Sequence, residues 1–203
     1  MFIASLPIYK KLSKNRSQRI GEKLLSLIEK PNARILDFGG GNMWLAEFLV
    51  DKIGDAEITG IDVIEDQNLE DKIKNHPRIH FQTYQSKEIP FTDNTFDYAI
   101  ASAVMHHTPN PEYYLSELKR VIKPGGSILL VEEMYLNPID KFYIMLEDYV
   151  LNKLKKGVPV PLQFRPYKHY KAEFEKQGLQ VAYEGSLRPG FPWKHHYVFK
   201  LTK

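Results

Sequence analysis

Cysteine is missing from all 203 residues of this chain. Disulfide frameworks, thiolate zinc sites and thiol nucleophiles are therefore excluded, and the composition suits a reducing compartment. No apolar run approaches the ~20 residues of a membrane-spanning helix. The opening stretch from Met1 to Tyr9 is short and lacks the leading positive charge of a signal peptide. Together these absences make a cytoplasmic location the expectation. Internal repeats and low-complexity segments are lacking too. What is present is ordinary for one globular domain, with 43% hydrophobic and 26% charged residues.

Net charge is only +3, but it is unevenly spread. Residues 1–23 hold six Lys/Arg against Glu22, and residues 153–203 hold eleven against Glu173, Glu175 and Glu184. Residues 24–152 are acidic, with 21 Asp/Glu against 11 Lys/Arg. Basic ends on an acidic middle suggest an anionic partner near the ends, or else lysines that only solubilise exposed helices. Arg16 and Arg165 are the candidates for specific anion contacts, because a guanidinium binds carboxylate or phosphate in bidentate fashion. Lys10, Lys11, Lys14, Lys155 and Lys156 would add a general attraction.

Seven strand candidates stand out: Arg34–Phe38, Glu57–Asp62, Arg78–Tyr84, Asp97–Ser102, Ser127–Glu133, Gln180–Arg188 and His195–Leu201. The first five alternate with helical patterns, which argues for an α/β fold with a parallel sheet covered on both faces. The last two are joined by Pro189 to Trp193, too short for a crossover helix, so they pair antiparallel. Asn110-Pro111 and Asn137-Pro138 each place a cap before a proline at the first helical position. Residues 135–170 are heavily aromatic and fall between strand five and the next helix.

The stretch Arg34-Ile35-Leu36-Asp37-Phe38-Gly39-Gly40-Gly41-Asn42-Met43 is the most informative. A short apolar strand ends in an acid, breaks into three glycines, and runs straight into a helical pattern. Such turns bring backbone close to a nucleotide-like ligand, although a bare βα connection uses glycine too. Asp62 ends the second strand, 21 residues past Gly41, where an acid can accept from both hydroxyls of a ribose. A dinucleotide fingerprint would need glycine at position 44, which is Trp44.

Taken in order, Asp37-Phe38-Gly39-Gly40-Gly41, Asp62, Ile89-Pro90-Phe91-Thr92-Asp93-Asn94-Thr95-Phe96-Asp97, Val104 to Pro111 and Lys123-Pro124-Gly125-Gly126 resemble the class I S-adenosylmethionine-dependent methyltransferases. The similarity is greatest to the branch holding quinone-biosynthesis and other small-molecule enzymes, and it covers residues from about 20 to 133. It implies a doubly wound, Rossmann-like seven-stranded sheet: five parallel strands, a C-terminal antiparallel hairpin, and a helical cap inserted after strand five. The single domain of residues 1–203 would divide into an N-terminal helical segment (1–30), a cofactor-binding core (31–134), a substrate lid (135–170) and a last helix with the terminal hairpin (171–203).

The resemblance also implies roles. Asp37, Gly39, Gly40 and Gly41 would wall the methionine part of S-adenosylmethionine, Asp62 would hold its ribose, and Val63 would pack on its adenine. Gln85 and Ser86 would lie at the adenine amino group, and Ser102 near the reaction centre. Two positions depart from the pattern: Met43 replaces a third glycine, and Gln85 replaces an acid, although its carbonyl can still accept a hydrogen bond. His107, or else His106, would act as a general base beside the acceptor, or would simply pin the loop. No third ligand accompanies the histidines in sequence, so no metal site is expected.

The expected partner is a small-molecule acceptor, apolar or anionic, with peripheral membrane contact as an alternative. A methyltransferase-like fold kept only for partner binding is the competing reading. Nucleic acid is an unlikely substrate, because Asn110-Pro111-Glu112-Tyr113 matches the base-methylating signature poorly and lies beyond two histidines. Oligomeric state leaves no signal in the sequence.

Overall fold

The computed structural model describes residues 7–63, 69, 76–153, 163–187 and 195–203. Helix α1 (Pro7–Leu25) precedes β1 (Arg34–Phe38), α2 (Trp44–Val50), β2 (Glu57–Asp62), β3 (Ile79–Thr83) and β4 (Phe96–Ser102). A 3-10 turn (Met105–His107) leads to α3 (Pro111–Val121), β5 (Ile122–Glu133), α4 (Pro138–Lys153), α5 (Tyr167–Lys176), β6 (Gln180–Ser186) and β7 (His196–Thr202). The seven strands form one sheet in the order β3-β2-β1-β4-β5-β7-β6. β1 to β5 pair in parallel, and β7 runs antiparallel to both β5 and β6. The expected five-plus-two sheet is therefore observed. The hairpin connector, residues 189–193, lies outside the described residues.

Alternation along the strands explains the two cores. Ile35 of β1 faces one layer while Leu36 and Phe38 face the other, and β5 does the same with Leu129 and Val131 against Ile128 and Leu130. One core holds α3 and α5 against the sheet, and the other holds α1 and α2. Each fully buried Leu, Ile or Phe contributes about 1.5–3 kcal/mol. Both faces of the central strands β1 and β4 and of the second half of β5 are largely buried, which is why these stretches read as continuous apolar runs, whereas the edge strand β3 exposes His80, Gln82 and Thr83.

Helix starts follow the sequence signals. Asn110 accepts a hydrogen bond from the Tyr113 N–H at 3.0 Å. Asn137 accepts from the Asp140 N–H at 2.9 Å and donates its amide to the Asp140 carboxylate at 3.0 Å. Most strand bounds shift by one or two residues, and β5 shifts by five: it begins at Ile122, not Ser127, because Ile122 pairs with Phe96 ahead of an irregularity in the register. The Lys123-Pro124-Gly125-Gly126 turn is thus part of the strand's entry.

At the amino edge of the sheet, Asp97 ties three elements together. It accepts from Lys30 at 2.8 Å, from the Arg34 N–H at 2.8 Å and from Lys123 at 2.9 Å. Burial pushes its carboxyl up, but these hydrogen bonds outweigh burial and hold it at about 2, below the ordinary 3.8. A depressed carboxyl stabilises the fold above its unfolded value and loses that effect as pH falls through its folded value. Asp97→Ala should cost about 1–2 kcal/mol at pH 7. The difference from the parent protein should shrink as pH falls from about 4 toward 2, as measured by urea unfolding across that range.

Candidate active site

The glycine turn wraps around the end of β2. Gly39 and Gly40 both donate to the Ile61 carbonyl, at 2.8 and 3.2 Å, and Gly41 donates to the Asp62 carboxylate at 2.9 Å. Three successive amides are thereby committed to protein acceptors. They do not form the open cradle of N–H groups that a bound phosphate requires. Trp44 argued against a dinucleotide on sterics, and the spent amides argue against it on hydrogen bonding.

Two glycines are needed here for different reasons. Gly39 has φ +73°, and a Cβ on it would fall 2.2 Å from Val104 Cγ2. The neighbour such a Cβ would meet is the segment leaving β4. Gly60 leaves room for Met43, whose sulfur would lie 2.2 Å from an added Cβ. Met43 itself is wholly buried and takes φ 57°, ψ 18°, a left-handed conformation that a glycine would adopt without strain. Its side chain fills the space beneath Gly40 and Gly60, turned into the core.

Asp37 is buried, and its Oδ2 has no hydrogen-bond partner among the described residues. Burial, reinforced by the negative charge of Asp62, pushes its carboxyl up to about 7. A buried acid in this state is poised to receive a cationic group. Val63 follows Asp62 with 47% of its surface exposed. The Tyr84 N–H donates to the Asp62 carbonyl at 3.0 Å, which carries the exposed Gln85 and Ser86 off the end of β3 beside β2. Ser102, half-buried, ends β4. The parallel register therefore gathers Asp37, Gly39 to Gly41, Asp62, Val63 and Ser102 at one edge, the carboxyl ends of β1, β2 and β4, with Gln85 and Ser86 past β3.

The histidines belong to a larger buried cluster. His106 hydrogen-bonds through Nδ1 to Glu132 and lies 3.7 Å from Glu133 Oε2. Its ring stacks on Phe164 at 4.4 Å and meets the half-buried His107 at 4.1 Å. Glu132 also accepts from the Met105 N–H at 3.0 Å. Glu133 pairs with Arg16 of α1 at 2.7 Å and with His196 of β7 at 3.0 Å. Burial holds the Glu132 carboxyl above its ordinary value. Burial acts on Glu133 in the same sense, yet Arg16, His196 and His106 overcome it and hold that carboxyl well below. Nearby, the buried Tyr170 hydroxyl has no hydrogen-bond partner among the described residues; burial and the charge of Glu132 push it well up.

Sequence reading missed Glu132, Glu133 and His196, and took Arg16 for a contact to an external anion. The available signal was a pair of acids closing the apolar run of β5. The third metal donor that seemed absent exists in space: His106, Glu132 and Glu133 offer ligand atoms within 4.8 Å of one another. Arg16 on Glu133 already brings a positive charge to that carboxylate.

Two expected anion contacts are engaged within the protein. Arg16 is held by Glu133, and Arg165 donates to Glu112 at 2.8 Å. Glu112 also pairs with His169 at 2.7 Å. Burial raises the Glu112 carboxyl, but Arg165 and His169 bring it down to about 2. Glu112 thus sits in the first turn of α3, in an ion pair, and the Asn110–Tyr113 stretch is a helix start. Lys155 and Lys156 fall outside the described residues, as do the side chains of Lys10 and Lys153.

Comparison with known proteins agrees with this geometry. Residues 36–130 match the family profile described as "Methyltransferase domain". The chain is 32% identical over 108 residues to a demethylmenaquinone methyltransferase of Lysinibacillus sphaericus, a match covering 51% of this chain and 45% of that protein. It is 26% identical over 177 residues to the ubiquinone/menaquinone biosynthesis C-methyltransferase UbiE of Vibrio campbellii, covering 83% of this chain and 68% of that one. The matches thus span from under half to about two thirds of these relatives' lengths. A SAM-dependent methyltransferase structure from Aquifex aeolicus superposes with TM-score 0.68 at 21% identity, covering 95% of both chains, and shares the fold.

Asp37 yields a test with a defined sign. Its folded carboxyl, raised to about 7 from 3.8, keeps a proton that the unfolded chain releases, so this group costs stability as pH rises from 4 to 7. Asp37→Asn should raise the stability of the ligand-free protein by about 1–3 kcal/mol at pH 8 and change it little at pH 4. Denaturant unfolding at the two pH values checks this.

Proposed function

This chain belongs to the class I S-adenosylmethionine-dependent methyltransferases, and we propose that it methylates a small apolar acceptor, a quinol-like ring above all. In this reading the cofactor is S-adenosylmethionine. The observation that carries the reading is the edge where buried Asp37 and Asp62 flank a glycine turn with no amides left for phosphate. That edge fits a ligand with a ribose and a cationic amino-acid end and no phosphates. The quinone-ring acceptors named for the Lysinibacillus and Vibrio relatives support the acceptor class.

When bound, the cofactor supplies a methyl group on a sulfonium, open to in-line displacement by a nucleophile. Asp37 takes the amino group, giving up its proton as the cation arrives. Asp62 takes the ribose hydroxyls while still holding Gly41, since a carboxylate offers about four acceptor sites. Val63 gives the adenine an apolar wall, and Gln85 with Ser86 meets its polar edge. Ser102 borders the methionine end.

At the acceptor side, His107 takes the acceptor's proton. His106, fixed by Glu132, holds that ring in place. Residues 135–170 serve as the acceptor's cover, because Phe164 stacks on His106 and the Gln163 N–H donates to the His106 carbonyl at 3.0 Å. Exclusion of water and alignment are what such a site contributes to methyl transfer.

Incubation with methyl-labelled S-adenosylmethionine and a short-chain demethylated naphthoquinol should give one labelled methyl per acceptor. An untouched acceptor panel alongside tight cofactor binding would contradict the acceptor class. Asp62→Ala should raise the cofactor Kd at least about tenfold, or about 1.4 kcal/mol; a change under about threefold removes the ribose role. His107→Ala should lower kcat by about 10²–10⁴ with cofactor affinity kept. Cofactor affinity should rise with pH through about 7, as Asp37 loses its proton, and Asp37→Asn should flatten that profile.

A further inference from the structure

Exposed apolar side chains concentrate on a single element. Of the eight large hydrophobic side chains exposed among the described residues, six lie between Leu136 and Tyr149. Ile139, Phe142, Tyr143, Leu146 and Tyr149 recur along α4 at the spacing of one helical face, a stripe about 120° wide with no acid in it. The opposite face holds α4 to the protein through the buried Asp140 and Ile144. A helix whose wide apolar face points outward has the pattern of one that lies in the plane of a membrane surface. Tyr143 and Tyr149 are of an aromatic type enriched at the headgroup boundary.

Charge identifies the partner. Lys141 is exposed on α4, beside the stripe. The Arg16–Glu133 ion pair brings α1 to the strand that leads into α4, and α1 carries exposed Lys11, Lys14 and Arg19. A second copy of this chain packed on the stripe about a two-fold axis would set these lysines against their own equivalents. An anionic bilayer would neutralise them, at up to about 1 kcal/mol for each basic residue near its surface.

We infer that the α4 stripe docks the protein onto an anionic lipid bilayer, with Ile139, Phe142 and Leu146 entering the headgroup region. This deepens the proposed function, on which it rests for its purpose: α4 starts five residues after Glu133, which lies beside His106, so an apolar acceptor would be drawn from the bilayer.

The test is co-sedimentation of the full chain with vesicles of phosphatidylcholine alone and with about 30% phosphatidylglycerol. The parent protein should partition at least tenfold more onto the anionic vesicles, and rising salt should reduce that binding, as exposed charges are screened within ~10 Å at 0.1 M. Phe142→Glu/Leu146→Glu should lose the binding while keeping the melting temperature and cofactor Kd. Lys141→Glu should weaken it with the apolar stripe intact. Absent or variant-insensitive vesicle binding overturns the inference. So does a dimer, seen by light scattering, that the double variant dissolves without any vesicle binding. So does a rise confined to the KM of a water-soluble acceptor, which would place the stripe inside the acceptor site. Vesicle binding that persists while every quinol goes unmethylated supports docking and overturns only the acceptor class.

Discussion

The carbonyl of Ile61 accepts the amides of both Gly39 and Gly40, and much of the site follows from that bifurcated contact. It fastens the exit of β1 to the end of β2 beyond their ladder. The next amide, of Gly41, then reaches the Asp62 carboxylate. Asp37 near the end of β1 and Asp62 at the end of β2 are thus held close by the intervening glycines. A turn that satisfies its own donors cannot hold phosphate, but it can present two carboxylates to a ligand that needs them. Met43 completes the arrangement by filling the hollow under Gly40 and Gly60, at the cost of a left-handed backbone.

Buried acids are handled in opposite ways in the two halves of the site. Asp37 is left without a cation, and burial with the charge of Asp62 favours its neutral form. Glu133 is surrounded by Arg16, His196 and His106, so burial is overcome and it stays ionised. The first is an incomplete pairing that a cationic ligand would finish. The second is already complete, and it links α1, β5, β7 and the turn after β4. Removing Arg16 would therefore loosen the helix on one side of the site and leave a buried charge on the other.

Much of this fold was legible because parallel strands covered on both faces show as apolar runs, and the runs alternated with helical patterns. The hairpin was legible from the short Pro189–Trp193 link. The entry of β5 was not, since Lys123-Pro124-Gly125-Gly126 has turn chemistry yet pairs through Ile122 with Phe96. Asp37, Asp62 and the glycines stood out because one short segment and one fixed spacing hold them. Glu132, Glu133 and His196 did not, because they meet only after strands from distant parts of the chain pair. Arg16 and Arg165 looked like anion contacts from residue type alone, and folding gives each a carboxylate. The place of Val104 over Gly39 was not legible either, since no local pattern reveals it.

The central claim is that Asp62 binds the ribose of the cofactor while still holding the glycine turn. A crystal structure of the protein with S-adenosylhomocysteine tests it most directly. The account predicts both ribose hydroxyls on the Asp62 carboxylate, the Gly41 N–H still bonded to that group, and the amino group beside Asp37. A ribose placed away from Asp62, or a turn that releases Gly41 and turns its amides to the ligand, would contradict it.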